Sequence, residues 1–299
     1  MSPRDITAYI FLALTWGSSF LVAIHAIHAF GWGATVAFRC LIAGVVLLAG
    51  ARLAGRRLDF SFGFKPLVFV GLTTVVLQLV GLLYGLPLIG TAMSAIIVTT
   101  IPIFSMLVAR IFGIEPITTG AALGIALGVV GVVMLVGFPS QPITTDFILG
   151  SLASLISTFS AAVGSVYVGH KLKDAGVIEI TAGSFLVGGV VCLPLLFVVP
   201  IPAWPAPVDY LYLLILGAVM SGLTYVVYFA LLSSIGPTRA VSVEFAVTGV
   251  AVLIGTLLLG ETLSPLQIVG TAAIGLGCAM VLGLHKVTRA EAIAEHPGA

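Results

Sequence analysis

Residues 235–283 read IGPTRAVSVEFAVTGVAVLIGTLLLGETLSPLQIVGTAAIGLGCAMVLG, and residues 89–137, IGTAMSAIIVTTIPIFSMLVARIFGIEPITTGAALGIALGVVGVVMLVG, align with them at an offset of 146 without a gap. Ile89 and Gly90 meet Ile235 and Gly236, and Glu115 meets Glu261. Gly124, Gly131, Met134 and Gly137 meet Gly270, Gly277, Met280 and Gly283. In so biased a composition identity is a weak argument, and the order of features carries more. Both segments run from a short turn into a long apolar helix with a Glu at its end, restart at Thr or Ser-Pro, and finish in a glycine-rich helix.

The rest of the chain gives that repeat its setting. With 299 residues, 60% hydrophobic, 8% charged and a mean hydropathy of +1.26, it cannot cover a water-facing surface. Soluble domains carry about 25% charged residues, and about 20 apolar residues span a bilayer. Breaking the apolar runs where charges, prolines and glycines cluster predicts ten spans: 6–28, 32–52, 65–87, 91–112, 118–137, 147–171, 177–199, 208–234, 237–260 and 265–285. Helices follow because lipid offers the backbone no hydrogen bonds, and the alternation of a barrel strand is missing from runs such as LGIALGVVGVVMLVG. The expected fold class is all-α and polytopic.

Positively charged loops stay in the cytoplasm. With the N-terminus inside, Arg4, Arg52, Arg56, Arg57, Lys65, Arg110, Lys171, Lys173, Arg239, Lys286 and Arg289 all fall on that side, and only Arg39 does not. The opposite loops hold Asp146, Asp209 and Glu261. Both termini are therefore expected in the cytoplasm of a multi-pass protein, in a bacterial inner membrane. Five helices per repeat, 1–140 and 141–299, is an odd number, so the second copy enters the membrane inverted. Inverted repeats are the architecture of secondary transporters, whose substrate site lies near the midplane between the halves.

Other classes fit poorly. A net charge of +1 leaves no basic tract for nucleic acid. Cys40, Cys192 and Cys278 lie in separate apolar runs, away from the neighbours a metal or redox site needs, and read as packing residues. No cofactor or metal is expected, and no Walker motif supplies ATP. His25 and His28 lack the carboxylate companion that a membrane-embedded enzyme would need. The N-terminal apolar run exceeds a signal-peptide core and reads as a retained first helix.

Four stretches carry a family resemblance: LALTWGSSF at 12–20, Arg39 in the second span, PLIGTAMSAIIVTTIPIFSMLVARIFGIEPIT at 87–118, and residues 233–283. Together they resemble the drug/metabolite transporter superfamily with two EamA repeats, over nearly the whole chain. Within it the sequence is similar to YddG-type exporters of aromatic and other neutral amino acids. The resemblance implies export of amino acids by alternating access; the alternatives are a proton-coupled exporter of aromatic cations and, further off, a membrane-embedded enzyme. Pro102 matches the family's helix-breaking proline in the first repeat, whereas Thr248 stands at the aligned position of the second, which argues against a symmetric hinge.

Polar and aromatic side chains near the midplane are the candidate substrate contacts. Ser221, Thr224, Tyr225 and Tyr228 recur at helical spacing on one face of the eighth span. The candidates are Trp16, Ser19, Gln78, Tyr84, Thr99, Thr158, Tyr225, Tyr228 and Glu244. Glu244 reads first as a structural carboxylate near its helix start, with an ammonium ligand and a proton carrier as the alternatives, its face continued by Thr248, Ala251 and Gly255. Arg39 is expected either to bind a carboxylate or to serve the outer interface structurally. Depth along their helices puts it and Glu244 in opposite thirds of the slab, too far for a direct pair. Pro102 leaves the Val98 carbonyl without its helical partner, which suits a gate or hinge. Glu115 and Glu261 are expected to meet the positive end of the helix that follows each. Gly120, Gly124 and Gly128, echoed by Thr271, Gly275, Ala279 and Gly283, form small-residue ridges for close packing, within one chain or across a homodimer.

Overall fold

Apolar runs must satisfy their own backbone groups in lipid, and here they do so as helices. The computed structural model describes residues 2–114, 119–137, 142–202, 204–235, 240 and 243–281, and all regular structure among them is helical. In chain order the helices are α1 (Pro3–Leu53), α2 (Phe64–Val70), α3 (Gln78–Ile89), α4 (Thr91–Val98), α5 (Ile101–Ile111), α6 (Thr119–Gly137), α7 (Thr145–Lys171), α8 (Val177–Cys192), α9 (Leu195–Val198), α10 (Pro207–Gly217), α11 (Thr224–Ile235), α12 (Val243–Leu257) and α13 (Pro265–Val281). A π-helical turn, Gly71–Leu77, joins α2 to α3, and a second, Ala218–Leu223, joins α10 to α11. Glu115, Arg239, Ser242, Lys286, Arg289 and the side chain of Cys278 lie outside the described residues, as do the ends of several expected spans.

Among the described residues, six helical stretches are long and apolar enough to cross a membrane: Pro3–Leu53, Phe64–Ile89, Thr91–Ile111, Thr145–Lys171, Val177–Val198 and Pro207–Ile235. Shorter apolar helices cover Ala122–Leu135, Val243–Leu257 and Pro265–Gly277. The chain is thus a multi-pass membrane protein. A straight helix of 51 residues would run about 75 Å, more than twice a hydrocarbon core of about 30 Å. Gly31, at φ 74 and ψ 156, breaks α1 into two arms and needs a residue without a Cβ, since an added Cβ would also press on the Pro200 carbonyl at 3.0 Å.

Pro102 ends a helix rather than bending one. α4 stops at Val98, Thr99 and Thr100 form a turn, and α5 restarts with Pro102 in its first turn. The carbonyls around the break are covered by hydroxyls: Thr99 donates to Ile96, Thr100 to Ile97 at 2.7 Å, and Thr248 of the other repeat to Ala95 at 2.9 Å. α12 runs unbroken through Thr248.

The acid expected to serve the helix after it serves a different one. Glu261 accepts from the backbone N–H groups of Thr91 and Ala92, both at 2.6 Å, and so caps α4 across the repeat boundary. α13 has its own capping box, in which Ser264 and Gln267 exchange bonds of 3.2 and 2.8 Å. The glycine ridges face each other within one chain, because a Cβ on Gly131 would meet the Gly270 carbonyl at 2.6 Å and one on Gly277 the Gly124 carbonyl at 2.5 Å. The contacting residues of α13 are thus Gly270, Ile274 and Gly277, and not Gly275, whose Cβ would meet nothing.

Candidate transport cavity

The two π-helical turns aim polar side chains into the space between the repeats. An i→i−5 bond widens the helix and leaves carbonyls for other donors. Ser221 in the second turn donates to Leu216, five residues back, at 2.8 Å, and presents its oxygen to Arg39. Arg39 donates to it from Nε at 3.0 Å and Nη2 at 2.8 Å. The guanidinium is buried, with 5% of the residue exposed. One turn on, Thr224 accepts the Trp16 indole N–H at 3.0 Å. Trp16 then stands against Tyr225 and Tyr228, with ring centroids 5.3 and 5.1 Å away. At the end of the first π-turn, Ser157 of α7 donates to the Gln78 carbonyl at 2.7 Å, while Gln78 Oε1 is buried with no hydrogen bond.

These walls enclose a cavity of about 60 Å³. Trp16, Ser19, Gln78, Thr158, Tyr225 and Glu244, all predicted contacts, line it together with Arg39. Apart from Ser157, its remaining surface is apolar, chiefly Phe20, Leu79, Leu82, Leu83, Leu86 and Val247. A smaller lobe of about 10 Å³ adjoins it, shared by Trp16, Gln78, Tyr225 and Glu244 and completed by Thr74, Ser165 and Tyr228.

Three expected positions lie elsewhere. Tyr84 packs its ring edge-on against Trp32, centroids 5.5 Å apart, outside the cavity lining. The Thr99 hydroxyl turns back onto Ile96. Pro102 is buried behind the cavity wall formed by Val98 and Ile101. As expected, Arg39 and Glu244 do not pair directly, and both line the same cavity. Glu244 is 7% exposed and makes no hydrogen bond or ion pair among the described residues, so the hydrogen-bonded structural reading finds no partner. An unpaired charge in the hydrocarbon slab costs about 2.5–3.5 kcal/mol on insertion scales.

Sequence reasoning missed two polar groups. Thr74 is 2% exposed with an unpartnered hydroxyl and lies four residues before Gln78, on the same helix face. Glu179, in the first turn of α8, is 3% exposed, accepts from the Asp59 N–H at 3.3 Å and pairs with Arg56 at 3.6 Å.

Comparison with known proteins agrees with this architecture. The profile of the EamA-like transporter family matches residues 5–137 and again residues 148–283. The inner membrane transporter YedA of Escherichia coli K12, described as uncharacterized, is 29% identical over 267 residues, 86% of this chain and 83% of its own. Protein PecM of Dickeya dadantii is 25% identical, over 92% and 90% of the two chains. A crystal structure 16% identical in sequence superposes with a TM-score of 0.68, covering 96% of this chain and 99% of its own, which fixes the shared fold. With two copies of the family profile spanning nearly its whole length, the chain belongs to the EamA-like transporter family and carries two EamA repeats.

Proposed function

We propose that the protein exports aromatic and other neutral amino acids by alternating access, the two repeats rocking about the cavity between them. In this reading ten spans, two inverted units (1–140 and 141–299) and cytoplasmic termini place the chain in a bacterial inner membrane, the location named for YedA. The substrate is the only partner the mechanism requires besides lipid, and no resident cofactor takes part. One observation carries the proposal: a buried guanidinium and a buried carboxyl group, Arg39 and Glu244, line a single cavity without pairing, between aromatic rings and a leucine wall. A neutral amino acid matches that provision with its two charges and its apolar side chain. The rings and Glu244 alone would suit an aromatic cation, the multidrug alternative, but Arg39 on the same cavity repels one.

The test is uptake of labelled phenylalanine and threonine into liposomes carrying the purified protein, with and without a pH gradient. Saturable uptake of either amino acid supports the proposal. Transport of a cationic dye with no amino-acid uptake contradicts it and favours the multidrug reading. Retained transport by Glu244→Gln with unchanged pH dependence would remove proton coupling through that residue.

A further inference from the structure

The lobe beside the main cavity brings a carboxyl group together with buried polar atoms that have no partner. Glu244 contributes a carboxyl group, and Gln78 Oε1 and Thr74 Oγ1 are both buried without a hydrogen bond. Its volume, about 10 Å³, suits one water-sized group. An ammonium group is that size and carries three donors for three acceptor residues, and the aromatic residues Trp16 and Tyr228 line the same lobe.

The other pole has the opposite need. Arg39 spends two donors on Ser221, a neutral hydroxyl, so its hydrogen bonding is partly met while its charge is not. A carboxylate would supply that charge and accept further donors from the planar fork. A direct Arg39–Glu244 pair would neutralise both groups without any ligand, yet no such pair forms. A ligand bearing only an amine would leave Arg39 uncompensated, and one bearing only an acid would leave Glu244 uncompensated.

We propose that the cavity is bipolar and binds a free zwitterion in one orientation, with the ammonium in the lobe formed by Glu244, Gln78 and Thr74 and the carboxylate at Arg39. The substrate side chain then lies against Leu79, Leu82, Leu83 and Leu86. This orientation rests on the amino-acid reading above and adds to it a demand for unblocked amino and carboxyl groups.

Competition against labelled phenylalanine on the purified full-length protein tests it, using phenethylamine, which lacks the carboxylate, 3-phenylpropionate, which lacks the ammonium, and N-acetylphenylalanine. On the unsubstituted protein each should compete at least about tenfold more weakly than phenylalanine. Glu244→Gln should selectively weaken phenethylamine and spare 3-phenylpropionate, and Arg39→Gln should do the reverse. Because the readout is a crossed pattern, a uniform loss from misfolding cannot imitate it, and the analogue ranking on the unsubstituted protein needs no variant at all. Equal competition by phenylalanine and both single-charge analogues overturns the orientation, as does a loss of both analogues alike in each folded variant. Sodium-dependent phenylalanine binding, with Glu244→Gln removing only that dependence, also overturns it by assigning the lobe to an alkali ion. Absence of phenylalanine binding, with an aromatic cation bound instead, sinks the amino-acid reading itself and is separate from these outcomes.

Discussion

The π-turn of the first repeat, Gly71–Leu77, and that of the second, Ala218–Leu223, lie in matching register at the 146-residue offset, yet the polar side chains in each turn and at the residue just after it have different fates. In the second repeat they are occupied: Ser221 holds Arg39, and Thr224 holds Trp16. In the first, Thr74 and Gln78 Oε1 are buried without partners and border the cavity. The same backbone device thus builds a wall in one half and leaves acceptors open in the other. Native interiors rarely leave buried polar atoms unpaired, and in the proposed function the two beside the Glu244 carboxyl are the ones a ligand would complete.

Substitutions at the two turns should separate stability from transport. The largest stability loss is expected from Ser221→Ala, which strands a buried guanidinium; a bond to a charged group contributes about 1.5–3 kcal/mol, and denaturant unfolding in detergent should read that loss. Thr224→Val should cost less, about 0.6–1.7 kcal/mol for a neutral interhelical bond, and should loosen Trp16, seen as a shift in its fluorescence. Gln78→Leu should leave stability within about 0.5 kcal/mol of the parent, or raise it, while strongly reducing phenylalanine transport. If Gln78→Leu instead unfolds the protein as Ser221→Ala does, the contrast between the two turns is lost.

The break at Pro102 sharpens the same asymmetry. Pro102 has no N–H to continue the helix, so α4 ends and hydroxyls close its carbonyls, whereas Thr248 keeps its N–H and α12 continues. Thr248 lends its hydroxyl to Ala95, next to the broken helix. The second repeat thus props the break that it does not itself contain. Thr248→Val should therefore destabilise by about 1 kcal/mol in a protein whose Pro102 is present. It should do so less in Pro102→Ala if that change lets α4 run on, which a double-mutant cycle measures.

Much of this was legible in the sequence where local periodicity decides it. The stripe Ser221, Thr224, Tyr225 and Tyr228 keeps one face, and all four residues turn toward Arg39, Trp16 or the cavity and its lobe. Trp16, Gln78 and Glu244 stood out because lipid penalises such groups unless protein or water receives them. Tyr84 and Thr99 show the limit: periodicity says a side chain faces inward, but not whether it meets a cavity, a neighbouring ring or its own helix. The π-turns leave no propensity signature. The cap that Glu261 gives α4 joins positions 170 residues apart, and spacing along one chain cannot reveal it. That Arg39 and Glu244 line one cavity without pairing is likewise beyond residue counting, which places Cα atoms along each helix and not the ends of side chains.

The central claim is that substrate occupies the cavity between the repeats. Its most direct test replaces Cys40, Cys192 and Cys278 by alanine, introduces Ala161→Cys or Thr158→Cys on the cavity wall, and measures maleimide labelling in membrane vesicles with and without saturating phenylalanine. The account predicts labelling that phenylalanine slows in proportion to its binding. Labelling that phenylalanine leaves unchanged, in a variant that still transports it, would contradict the account.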